Sequence, residues 1–298
     1  MNGRARKFSL TLTPNEKQPV YLISPQGFFP PWATRGVLFL DTNITDKLVS
    51  GSTRNASAWS TGWLSGHTDD YLLSPLLWAY EQSYRREDPV EYFSECVAKA
   101  SAAFRKQGYA TFSSSHLAQT FETLDSIIKP TEHQLAWLEY CVAAKLGNTK
   151  AGKKVAVVAA ANYARDNFEG KNIGIALFVG LLVVAGHHAS WRLIKGAPAY
   201  TRKAATNALL DLNIYLAYLL LRDILAQTYR SASKDLFSVW FATADKPLAH
   251  VMLNGRLSAN FTDEGARVHF TLGSILKKGL RPDGVAGFEE ALRFLDAS

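Results

Sequence analysis

The chain has 298 residues, 47% hydrophobic and 20% charged, which excludes long disorder and leaves room for one large domain or two modest ones. Its formal net charge of +7 favours polyanionic partners, nucleic acid first among them. Cys96 and Cys141 have neither a second Cys nor a His at zinc-finger spacing, so a zinc finger is not expected; buried free thiols are expected, and a disulfide between the two stays open.

The first seven residues are basic, but no apolar signal core follows them, so a cytoplasmic protein is expected. Residues 8–13 alternate as a short strand and 20–23 suggest a second. A continuous apolar run over 37–40 predicts a strand covered on both faces. A helix is expected to begin near Thr45 and pass into a polar stretch in which Trp59 and Trp63 are core anchors. Residues 71–73 predict another short strand. Ser74-Pro75 then supplies an N-cap and a first helical residue, for a helix reaching about Arg86.

Residues 89–200 carry a helical pattern almost throughout, with breaks near Gly108, Pro130, 147–152, Gly170 and 196–198. The apolar run 173–186 is too short for a bilayer span of about 20 residues and predicts a buried helix, so no membrane partner is expected. His187 and His188 are adjacent, point about 100° apart on a helix and make poor co-ligands, so helix-surface or partly buried positions are expected. A long helix follows over 201–229, then a strand over 237–242, a helix opening at Lys246, a late strand over 267–272 and a final helix over 285–295. Strands separated by helices imply an α/β fold with a largely parallel sheet. The expected organisation is a single domain, with core segments 35–88 and 201–298 and a helical insertion over 89–200.

Four carboxylates stand out by position: Asp41 ends a buried strand, Glu81 lies two turns into a helix, Asp211 lies early in the long helix, and Asp245 ends the strand 237–242. Ligands of open α/β sheets bind at the carboxyl ends of the strands. From Asp211 to residue 229 the helix rises roughly 27 Å, and from Phe237 to Asp245 the strand runs roughly 26 Å. A helix that returns antiparallel to its strand therefore brings Asp211 to the level of Asp245 and carries Asp223 about 18 Å beyond it. Asn207, one turn before Asp211, shares its face. Carboxylates gathered without a cation repel one another, and an oxygen-only set suits Mg²⁺ or Mn²⁺. The competing expectation is local: Asp41 and Asp245 as helix caps, Glu81 and Asp211 as solvated helix residues.

These blocks, in this order, resemble the PIN-domain nucleases. LFLDTNI (38–44) is similar to the family's opening strand and acid, with Asn43 two residues on. LLSPLLWAYEQ (72–82) resembles its second segment, with Glu81. NALLDLNIYLAYLL (207–220) resembles the third, with Asp211. VWFATADKPLA (239–249) resembles the Thr-x-Asp turn, here Thr243 and Asp245. The resemblance implies a PIN-like core and a Mg²⁺- or Mn²⁺-dependent endonuclease that cuts RNA, or sometimes DNA, with a metal-activated water. Asp41, Glu81, Asp211 and Asp245 become metal-site and catalytic acids, and Asn43 and Thr243 supporting polar groups, which Asn207 joins by the face it shares with Asp211. The chain departs from small PIN toxins in its long middle. A non-catalytic scaffold binding nucleic acid or protein is the alternative, and a protein regulator such as an antitoxin, or an oligomer, stays open.

A haloacid-dehalogenase-type phosphatase needs a second Asp two residues after the first, where this chain has Asn43. No Walker loop or Rossmann glycine fingerprint is present. Cations suited to a phosphate backbone include Lys153, Lys154, Arg165, Arg192, Lys195 and, as the expected nucleic-acid contacts, Arg202, Lys203 and Lys246.

Overall fold

The computed structural model describes residues 10–11, 21–23, 35–50, 71–104, 114–147, 152–168, 173–232, 237–262 and 265–296. Trp59, Trp63 and the breaks at Gly108 and Gly170 lie outside them. The chain falls into two compact units, one of residues 1–129 and 217–249 and the other of 130–216 and 250–298. The divisions differ from the expected core and insertion. The helices of 89–128 belong with the sheet, and the last part of the chain belongs with the helices of the middle.

The first unit is built on a five-stranded sheet of β1 (Leu10–Thr11), β2 (Tyr21–Ile23), β3 (Arg35–Leu40), β4 (Tyr71–Ser74) and β5 (Phe237–Thr243), in the order β1-β2-β5-β3-β4. Strands β5, β3 and β4 are parallel, with Leu38 opposite both Trp240 and Leu73. The edge formed by β1 and β2 is antiparallel. The sheet is therefore mixed, and only its three-stranded part is parallel as expected. Val37, Leu38, Phe39 and Leu40 are all buried, as a strand covered on both faces requires. Burying each of the larger side chains stabilises by about 1.5–3 kcal/mol.

Around the sheet lie α1 (Thr42–Val49), α2 (Leu76–Ser83), α3 (Pro89–Phe104) and α4 (Ser114–Ile128). The Tyr80 hydroxyl donates to Asp125 Oδ1 at 2.8 Å, tying α2 to α4, and burial with that carboxylate pushes its pKa well above the ordinary tyrosine value. Residues 217–232 of α9 (Arg202–Ala232) also belong here. Tyr218 packs edge-on against Phe39 and shares its hydroxyl between the carbonyls of Ile23 and Val239. It thus joins the helix to both sheet halves.

Two local boundaries differ from the expected ones. Helix α1 begins at Thr42, because Asp41 already caps it: the Asp41 carbonyl accepts from the N–H groups of Ile44 and Thr45. Ser74 ends β4 and is not a cap, since Pro75 stands at the N-cap with φ −88° and ψ 0° and its carbonyl accepts from Ala79 N. Proline disfavours the helical region for the residue before it, which keeps Ser74 extended.

The second unit holds α5 (Glu132–Gly147), α6 (Lys153–Phe168), α7 (Gly174–Val184), α8 (His188–Leu193), residues 202–216 of α9, and the C-terminal part of α10 (Lys246–Asn254). It continues with the antiparallel hairpin of β6 (Gly255–Thr262) and β7 (Gly265–Leu272), then α11 (Ser274–Lys278) and α12 (Pro282–Asp296). The run 173–186 is the buried helix α7. Among the described residues no helix is long and apolar enough to cross a membrane. Trp137 Nε1 donates to the Ala176 carbonyl at 2.8 Å and fixes α5 against α7. Gln134 and Asn213 exchange amide hydrogen bonds in the interior, so these buried polar groups are satisfied. Cys96 and Cys141 are free and buried, one in each unit; burial raises both thiol pKa values.

His187 is not on a helix surface. It is the N-cap of α8, 2% exposed, and its Nδ1 accepts from Ser190 N at 3.2 Å. Its ring stacks on that of His250. Gly186, with φ +92°, makes the left-handed turn that separates α7 from α8. His188 is exposed.

Candidate functional site

Strands β3 and β5 end side by side, and the residues that follow them meet. Asp41 N donates to the Ala242 carbonyl at 2.9 Å, extending the ladder by one bond. The Asp41 side chain then turns onto the start of α1, where Oδ1 accepts from Thr42 N at 2.8 Å. Its Oδ2 accepts from Thr243 Oγ1 at 2.6 Å. Asp41 is only 8% exposed. A carboxylate so buried needs such donors, and the helix N-terminus adds favourable charge.

Thr243 is fully buried. Its single hydroxyl proton goes to Asp41, and its oxygen accepts from Asp245 N at 2.9 Å. Asp245 in turn accepts from Leu248 N at 2.7 Å through Oδ1 and from Ala249 N through its carbonyl, so it caps α10. On the other side, Thr42 Oγ1 donates to Glu81 Oε2, and Glu81 is half-buried on α2. Glu81, Thr42, Asp41, Thr243 and Asp245 thus form one hydrogen-bonded chain, Thr42 reaching Asp41 through its backbone N–H and Glu81 through its hydroxyl.

The order and spacing of the motifs point to Asp41, Glu81, Thr243 and Asp245 here, and the structure brings these four together. The motifs do not single out Thr42, although its place directly after the strand-ending acid is a usable signal. Asn43 is exposed on α1 and Lys246 exposed at the start of α10. Asp211 belongs to the second unit, where its Oδ2 accepts from Lys195 Nζ at 3.0 Å. Asn207 lies one turn earlier on the same helix and is half-buried. Asp223 pairs with Arg222, its immediate neighbour. Among the described residues no three His, Cys, Asp or Glu side chains lie close enough together, as they stand, to hold a metal ion.

The local expectation is met in part as well, since Asp41 and Asp245 both cap helices. Several cations expected to meet nucleic acid are engaged by carboxylates: Arg202 by Glu132, Lys154 by Glu290, Arg165 by Asp166, and Lys195 by Asp211. Lys203 and Arg192 are exposed.

Comparison of the chain with family models, with curated proteins and with solved structures gives no match.

Proposed function

We propose that this chain is a metal-dependent endonuclease of the PIN-like kind, acting on RNA. The observation that carries the reading is the hydrogen-bonded chain through Thr42 and Thr243, which gathers three acids from distant parts of the sequence at the carboxyl end of parallel strands. Ligand sites of parallel α/β sheets lie at that edge.

The donor set suits Mg²⁺ or Mn²⁺. It is all oxygen, and a divalent cation relieves the repulsion among neighbouring carboxylates. Asp41, Glu81 and Asp245 would hold the ion. Such an ion, when bound, supplies an activated water and screens the charge of a phosphodiester. Thr42 and Thr243 orient the carboxylates. Asn43 and Lys246, both exposed beside the acids, would meet the RNA, Lys246 by its charge on a backbone phosphate.

A second reading is favoured by the capping roles of Asp41 and Asp245: a scaffold that uses the same acids only to build the fold. Cleavage of an unstructured RNA separates the two. Turnover with Mn²⁺ or Mg²⁺, abolished in Asp41→Asn, supports the nuclease. RNA binding without cleavage by the wild type under either metal, unaltered in Asp41→Asn, supports the scaffold.

A further inference from the structure

We propose that the second unit carries a binding cavity for a small molecule with a diphosphate or longer polyphosphate group. A cavity of about 540 Å³ is lined by Lys145, Lys153, Lys278 and Arg281, with Gly186 and Gly279 among the remaining wall residues. No Asp or Glu is among its lining residues. The four cations come from the end of α5, the start of α6, the end of α11 and the residue before α12. Folding, not a local charge run, brings them together.

The pairing of neighbouring charges sorts the cations by direction. Lys154 and Lys277, each next in sequence to a cavity lysine, are bound by Glu290 and Glu289 of α12. Among the described residues none of the four cavity cations has an ion-pair partner. Lys145 is half-buried, with its ammonium 4.3 Å from the centre of the Trp191 ring. Burial and the nearby Lys153 push its pKa down, the sign of a charge placed where an anion would stabilise it. Four convergent cations without carboxylates balance a polyphosphate better than a single carboxylate or monophosphate. The volume falls in the range of small-molecule sites. An extended nucleic acid is disfavoured, because Asp283 accepts from the backbone of Lys153 and Glu289 and Glu290 hold the adjacent lysines.

The cavity lies in a different unit from Asp41, Glu81 and Asp245, and its binding needs no metal. Titration calorimetry of the full chain in metal-free buffer, with inorganic pyrophosphate, ATP and a single-stranded oligouridylate as probes, tests it. Saturable binding of pyrophosphate or ATP is expected. Lys145→Gln/Lys153→Gln should weaken it at least tenfold and Lys278→Gln/Arg281→Gln at least fivefold, while Lys154→Gln leaves it unchanged. The second pair replaces exposed side chains only, so it decides the matter if the Lys145 variant fails to fold. No binding of either phosphate compound, binding indifferent to Lys278→Gln/Arg281→Gln, or binding of the oligouridylate alone would overturn the proposal.

Discussion

Thr243 Oγ1 donates to Asp41 Oδ2 at 2.6 Å while accepting from Asp245 N at 2.9 Å, so one buried hydroxyl fixes two acids, one 202 residues before it in sequence and the other 2 residues after it. Thr243→Val keeps the shape and deletes the hydroxyl. It leaves the buried Asp41 carboxylate short of a donor and the Asp245 amide short of an acceptor. Urea unfolding should show a loss of about 1–3 kcal/mol. A change below about 0.5 kcal/mol would mean that the hydroxyl does not organise this end of the sheet.

The buried His187 gives the protein a pH dependence. Its pKa is pushed down to about 4, first by burial and then by the charges of His250, His188 and Lys145. The unfolded chain, with an ordinary histidine pKa near 6.5, binds the proton more readily than the folded one. The stability held by neutral His187 is therefore complete above about pH 6.5 and is lost as the pH falls from there toward 4, by about 3 kcal/mol at most. His187→Asn keeps a good N-cap side chain and should flatten the Tm profile in that window. An unchanged slope in the variant would assign the loss to other groups.

Gly287 lies inside α12, where exchange for alanine ordinarily stabilises a helix by about 1 kcal/mol. Here a Cβ would stand 2.7 Å from Lys154 Cα, so α6 and α12 would have to separate. Overpacking of this kind costs about 1–3 kcal/mol. Gly287→Ala should therefore lower Tm, and a higher Tm would contradict the close packing of the two helices.

What the sequence discloses and what it withholds have physical causes. The run ending at Asp41 and the Thr-x-Asp turn at 243–245 are legible, because a fully apolar strand followed at once by an acid has few alternatives in an α/β chain. The breaks at Pro130 and 147–152 are legible for the same kind of reason, since proline and glycine punctuate helices. The strand β6 is not marked by any apolar run, and its pairing with β7 is a tertiary fact. The antiparallel edge of the sheet depends on how β2 meets β5, which no local pattern encodes. His187 shows the limit most plainly: its neighbours read as helix, but Gly186 breaks the helix with its positive φ and His187 is buried as the cap of the next one. The ion pair of Lys195 with Asp211 and the convergence of Lys145, Lys153, Lys278 and Arg281 are likewise invisible to spacing, because the partners come from separate segments of the chain.

On the proposed reading, the acids joined through Thr42 and Thr243 hold a divalent cation. Titration of Mn²⁺ into the 298-residue chain, followed by the electron paramagnetic resonance of the free ion, tests this. Saturable binding is expected, weakened at least tenfold by Asp41→Asn and by Asp245→Asn, with both variants folded by circular dichroism. Manganese binding that is absent from the wild type, or indifferent to both substitutions, would contradict it.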